Sequence, residues 1–154
     1  MKNMNCKPKY MYDQPMFMVT VNTVVIDENG ILVLNEKDSD LWTYEFPGGQ
    51  VRAGQETMQF AAIRHIKEQI GISVKKDALI PVDFRSDPER SDSGNVVDIG
   101  FVVILDGNNF HKGKWLEVDF KEKRAIIEGK NKFSKENQVF LKRALDVALM
   151  VRNI

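Results

Sequence analysis

From Phe17 to Asp27 the chain reads FMVTVNTVVID, a β-branched and apolar run that predicts a strand with both faces at least partly buried. Glu28-Asn29-Gly30 is a hairpin turn signal, and ILVLNEK at 31–37 returns as the partner strand. LWTYEF at 41–46 predicts a short strand ended by Pro47 and the pair Gly48-Gly49. Apolar positions then recur at helical spacing over about 56–70, up to Gly71. ALIPVDFR (78–85) and NVVDIGFVVIL (95–105) predict two more strands, joined by the polar loop SDPERSDSG. KWLEVDF (114–120) is a last short strand or extended segment. Ser134 can cap a final helix whose apolar stripe is Phe140, Leu141, Ala144, Leu145 and Ala148.

The order β-β-β-α-β-β-β-α, with hairpin-linked strands and two helices, predicts one domain over 16–154. It is expected to be a mixed β-sheet sandwiched between α-helices. Residues 1–15 read as a flexible lead-in, and five of the seven methionines fall in the first 18 residues. They lack the apolar core of a secretory signal, and no apolar run approaches the roughly 20 residues of a membrane span. Lys plus Arg equals Asp plus Glu at 22 each, so bulk charge gives no reason to expect nucleic acid or membrane as a partner. Cys6 is the single cysteine, which rules out an internal disulfide and suits a reducing cytoplasm.

The predicted central helix changes this bland picture. Counted at 3.6 residues per turn, Ala62, Ile63, Ile66 and Ile70 fall on the side facing the sheet. Arg64, His65 and Glu68 fall opposite, with Gln69 at the boundary. His65, Glu68 and Gln69 stand at i, i+3 and i+4, so they can converge on one point. Gly48 and Gly49 allow backbone to approach that point, because no Cβ intervenes.

The stretch EFPGGQVRAGQETMQFAAIRHIKEQIGIS (45–73) resembles the Nudix box, G-x5-E-x7-R-E-U-x-E-E-x-G-U with U aliphatic. Glu56 precedes Arg64 by the required interval, and Arg64-His65-Ile66-Lys67-Glu68-Gln69-Ile70-Gly71-Ile72 follows the rest. Three later stretches look like the ADP-ribose pyrophosphatase branch: DPERSDSGNVVDIGFVV, KWLEVDF and NKFSKENQVFLKRAL. In the last, Lys135 and Glu136 stand where that branch has an acid and a histidine. The resemblance runs from Met16 onward and implies the MutT-like Nudix fold.

What the resemblance implies chemically is hydrolysis of a nucleoside diphosphate linked to another moiety, with ADP-ribose or a nucleotide sugar as the leading guess. Mg2+ or Mn2+ would assist attack of water on the pyrophosphate. It places metal contacts at Glu68, Gln69 and Gly49, catalytic roles at Glu68, His65, Arg64 and Glu56, and substrate contacts at Gly48, Gly49 and Arg90. Asp87, Asp92 and Asp98 are further carboxylates that can assist.

The box is degenerate. Two of its three helical carboxylates are replaced, by His65 and Gln69, which leaves a weakened site. Histidine suits softer metals than magnesium, though it can serve as a base near neutral pH. One residue is also added between Gly49 and Glu56, unless Gln55 takes the first glutamate's place. The alternative function is therefore a catalytically impaired domain that binds a nucleotide as a sensor or regulatory module. Regulators in this branch carry a DNA-binding domain after the Nudix part, and with the last helix reaching close to Ile154 none is expected here. The expected partner is a nucleotide-type small molecule, and the branch suggests a homodimer.

Simpler readings stand beside these. Glu68 can merely pair with Arg64, and Glu56 can be a favourable acid near the helix start. His65 can be a solvated helical residue. Phe84 and Phe101 fit the core, Trp115 can bury against the last helix, and His111 has no motif around it.

Overall fold

The computed structural model describes residues 17–28, 30–38, 41–86, 95–106, 113–127 and 132–152. β1 (Met18–Asp27) turns at Glu28 into β2 (Gly30–Asp38), with Ile26 opposite Ile31, so the hairpin expected from the turn signal forms. The Gly30 N–H donates to the Asp27 carboxylate at 3.1 Å and closes the turn. β3 (Leu41–Glu45) lies antiparallel on the far side of β2. After the helix α1 (Met58–Ile70) and a 3₁₀ turn (Lys76–Ala78), β5 (Ile80–Arg85) and β6 (Val96–Ile104) pair antiparallel. β6 then runs parallel to β1 along its length, from Met18 opposite Val96 to Ile26 opposite Ile104.

The sheet order is β3-β2-β1-β6-β5. The glycine pair read as a turn is instead a strand of its own, β4 (Gly48–Gln50). It pairs antiparallel with the first half of β1, while β2 takes the second half, so both halves of one β1 edge are used. KWLEVDF also differs from expectation. It divides at Glu117 into β7 (Lys114–Leu116), which joins β2, and β8 (Val118–Asp119), which pairs with β9 (Arg124–Ala125).

Period-2 alternation sends successive β1 side chains to opposite faces. Val21 and Val25 pack with Ala61, Ala62, Ile66 and Ile70 of α1, whereas Val24 and Ile26 pack with Phe140, Leu141, Ala144 and Leu145 of α2 (Lys135–Arg152). The sheet is thus sandwiched between helices, as the pattern predicts. Each helix begins with the side-chain cap its sequence offers. Thr57 Oγ1 accepts from the Phe60 N–H at 3.2 Å, and Ser134 Oγ from the Asn137 N–H at 3.1 Å. Gly71, at φ 80°, ends α1 by donating its N–H to the carbonyls of Ile66 and Lys67.

At Gly100 a Cβ would fall 2.3 Å from the Phe140 ring, so the missing side chain is the space that Phe140 fills. Phe46 stacks on Phe133 with ring centroids 5.2 Å apart and meets Phe140 edge-on at 5.5 Å. These rings bind the segment before β4 to the N-terminal half of α2. Phe101 is buried, as expected, but Phe84 is not. Phe84 lies on β5 at the sheet edge, and α1 packs chiefly over β1 and β4, which leaves this ring 70% exposed. Trp115 packs with the α1-side core and not against the last helix. Among the described residues, no helix is long and apolar enough to cross a membrane.

Candidate functional site

β4 and α1 bring the box residues together. Because β4 is hydrogen-bonded to β1, its register is fixed, with Asn22 opposite Gly48 and Val21 opposite Gly49. The chain then turns through 53–55 and α1 runs back beside β4.

Arg64 is the hub of the first half of the site. Its Nε donates to Glu56 Oε2 at 3.0 Å and its Nη2 to Glu56 Oε1 at 2.6 Å, a bidentate pair that fits a planar guanidinium to a carboxylate. Nη2 also donates to the Gln50 carbonyl at 3.1 Å, and Nη1 reaches Glu68 at 3.4 Å. The carboxylate that meets Arg64 is thus Glu56, which in turn accepts the Arg52 N–H at 2.9 Å. The Arg64 hydrogen bond, which outweighs the opposing effect of desolvation, holds the Glu56 carboxyl down at about 2 from an ordinary 4.5. Arg64 is correspondingly raised, chiefly by the same bond.

His65 departs from the helical count. It is buried, with 9% of its surface exposed, where the polar face was expected. Its Nε2 lies 2.9 Å from the Gln50 carbonyl, and since a carbonyl only accepts, the proton in that contact belongs to Nε2. Gly49 explains how the ring fits. A Cβ there would lie 2.6 Å from His65 Cε1, and the backbone at φ 153° is one that side chains rarely adopt. The absent side chain is thus replaced by the imidazole.

Gln69 is tied more tightly still. Its Nε2 donates to the Gly48 carbonyl at 2.7 Å, while its Oε1 accepts the Gly48 N–H at 2.9 Å. One carboxamide therefore pairs with both polar groups of one residue, as a neighbouring strand would. This pairing requires an amide. A glutamate in the same place would set an oxygen against the Gly48 carbonyl oxygen, and only a proton or a cation between them could relieve that contact.

These contacts bear directly on metal binding. Magnesium asks for near-octahedral oxygen coordination. Of the expected metal contacts Glu68, Gln69 and Gly49, Gln69 spends both of its amide groups on the Gly48 backbone, and His65 beside it is engaged with the Gln50 carbonyl. Glu68 is 54% exposed and, among the described residues, held only by the long contact to Arg64. Among the described residues, no three His, Cys, Asp or Glu side chains gather to hold an ion. Among the described residues, this donor set does not fit a resident magnesium.

A second polar cluster, unread in the sequence, adjoins Gly48 on the α2 face. Asp98 is buried and accepts from Thr20 Oγ1 at 2.9 Å and Asn22 Nδ2 at 2.7 Å, and it pairs with Arg85. Arg85 lies 5.4 Å from the Phe140 ring centre and 4.0 Å from Glu136. Its Nη1 is buried without a hydrogen-bond partner among the described residues. Asp98 is therefore engaged here, on the far face of the sheet from the cluster around Glu68. The available signal was the polar pair Thr20 and Asn22, both even-numbered positions of a largely apolar strand. Asp87, Arg90, Asp92, His111 and Cys6 lie outside the described residues.

With this geometry in hand, comparison with known proteins places the chain. The NUDIX domain profile matches residues 16–130. An ADP-ribose pyrophosphatase from Methanocaldococcus jannaschii is 31% identical over 113 residues, 73% of this chain and 64% of that protein. The chain belongs to the Nudix hydrolase family. A MutT/nudix family protein from Enterococcus faecalis shares the fold at a TM-score of 0.69, with 17% identity, covering 90% of this chain and 64% of that one. The NUDIX domain of Shewanella oneidensis NrtR, solved with ADP ribose, does so at 0.53 and 16% identity, covering 73% and 79%. The chain thus spans somewhat under two thirds of the length of the first two.

Proposed function

We propose that this domain recognises a nucleoside diphosphate carrying a second group, with ADP-ribose as the leading ligand, and serves as a binding module. The observation that carries this reading is the Gln69 clasp on both backbone groups of Gly48. It gives the glycine strand, without a cation, the anchoring that a carboxylate would need a cation to provide. The pyrophosphatase relative and the ADP ribose held by the NrtR domain support the choice of ligand.

Hydrolysis of the same ligand is the second reading, favoured by Glu68, whose exposed carboxylate remains available on the helix. The two are separated by incubating the chain with ADP-ribose, dinucleotides, nucleotide sugars and nucleoside triphosphates, with magnesium, manganese or chelator. The binding reading expects intact nucleotide and a ligand-dependent rise in melting temperature. Metal-dependent turnover lost in Glu68→Gln would overturn it in favour of the hydrolase.

A further inference from the structure

Across the sheet from α1, between the β8–β9 hairpin and α2, lies a groove of about 470 Å³. That is within the usual range for small-molecule pockets. Its floor is apolar, with Ile127, Phe133 and Leu141, which belong to or pack against the α2-side core. Its rim carries Lys123, Arg124, Lys135 and Lys142, and among the described residues none that lines it is acidic. In a chain of zero formal net charge this local excess is unusual. Lys123 pairs with Asp146, but Arg124, Lys135 and Lys142 have no ion pair among the described residues.

The hairpin adds an independent observation. Lys123 sits at φ 53°, the only non-glycine residue at positive φ among those described. A side chain there costs on the order of 1 kcal/mol, and such outliers cluster where a residue serves a ligand.

We propose that this groove is a second ligand site, distinct from the box, for a small amphipathic anion: a carboxylate or phosphate head on an apolar body. The floor removes the apolar body from water, and the rim cations neutralise the head. Neither part suffices alone, since exposed ion pairs contribute little and an apolar floor gives a charged head no partner.

Octanoate is the probe, titrated into the full chain and followed by two-dimensional amide NMR, with octanol and inorganic phosphate as controls. Octanoate is expected to shift the Ala125, Ile127 and Val139 amides, and to bind at least tenfold more tightly than phosphate. The exposed pair Arg124→Glu and Lys142→Glu, combined, should weaken octanoate at least tenfold and leave octanol unchanged, in a spectrum that otherwise keeps the native dispersion. Val139→Glu, at the groove's edge, should weaken both. Shifts that map elsewhere or are absent would overturn the proposal, as would equal octanoate affinity in the charge-reversed variant or phosphate binding as well as octanoate.

Discussion

The pair Glu56–Arg64 shows how one contact fixes a residue's chemistry. A carboxyl held at about 2 in the folded chain and near 4.5 when unfolded contributes its stability in full above about pH 4.5. That contribution is lost as pH falls through about 2. Glu56→Gln is therefore expected to cost about 1–3 kcal/mol at pH 7. The gap from wild type should close between pH 4.5 and 2, as read from denaturant midpoints across that range. A gap that persisted unchanged at pH 2 would contradict the assignment.

Two glycines separate strain from contact. Gly49 and Gly54 both have positive φ, but a Cβ at Gly49 meets His65 while one at Gly54 meets nothing within 4 Å. Gly54→Ala is expected to cost about 1 kcal/mol, and Gly49→Ala at least about 2 kcal/mol, because overpacking adds to the strain. Thermal melts of the two variants side by side check the ordering.

At the scale of elements, β4 and α1 are joined by side chains that replace a ladder. Gln69 serves the Gly48 backbone, while His65 and Arg64 share the Gln50 carbonyl. Gln69→Glu is expected to destabilise the chain by about 1–3 kcal/mol in chelator at neutral pH, because one hydrogen bond is lost and two oxygens face each other. Millimolar manganese should recover part of that loss in the variant and leave wild type unmoved. Melting curves with chelator and with manganese give the answer. An unchanged melt in chelator would show that the clasp contributes nothing.

The legibility of the sequence follows the same division. The β1–β2 hairpin, the two helices, the Ser134 cap and the α2 stripe were readable because periodicity and caps are local. β4 was not, since Gly-Gly-Gln carries no apolar alternation and becomes a strand only because β1 offers it an edge. His65 was placed on the polar face because a helical count cannot foresee that Gly49 leaves room for a ring. Arg85 and Asp98 lie on the strands flanking a loop, 13 residues apart in sequence, and nothing before folding pairs them.

For the whole molecule, the two faces of the sheet divide the work. The α1 face holds the box, with its carboxylate chemistry reduced to Glu68, and the α2 face holds the Asp98–Arg85 cluster beside Gly48. Asn22 links them, since its backbone pairs with Gly48 and its amide donates to Asp98. Asn22→Ala is expected to leave Asp98 with one fewer donor, costing about 1–3 kcal/mol of stability. It should also weaken nucleotide binding severalfold, as measured by calorimetry on a variant shown to be folded.

The central claim is that the site recognises its nucleotide without a resident metal. Calorimetric titration of ADP-ribose, once in magnesium and once in chelator, with the nucleotide recovered and identified afterwards, tests it most directly. The account predicts binding of similar affinity in both and intact ADP-ribose at the end. Binding seen only with magnesium, or recovery of AMP and ribose 5-phosphate, would contradict it.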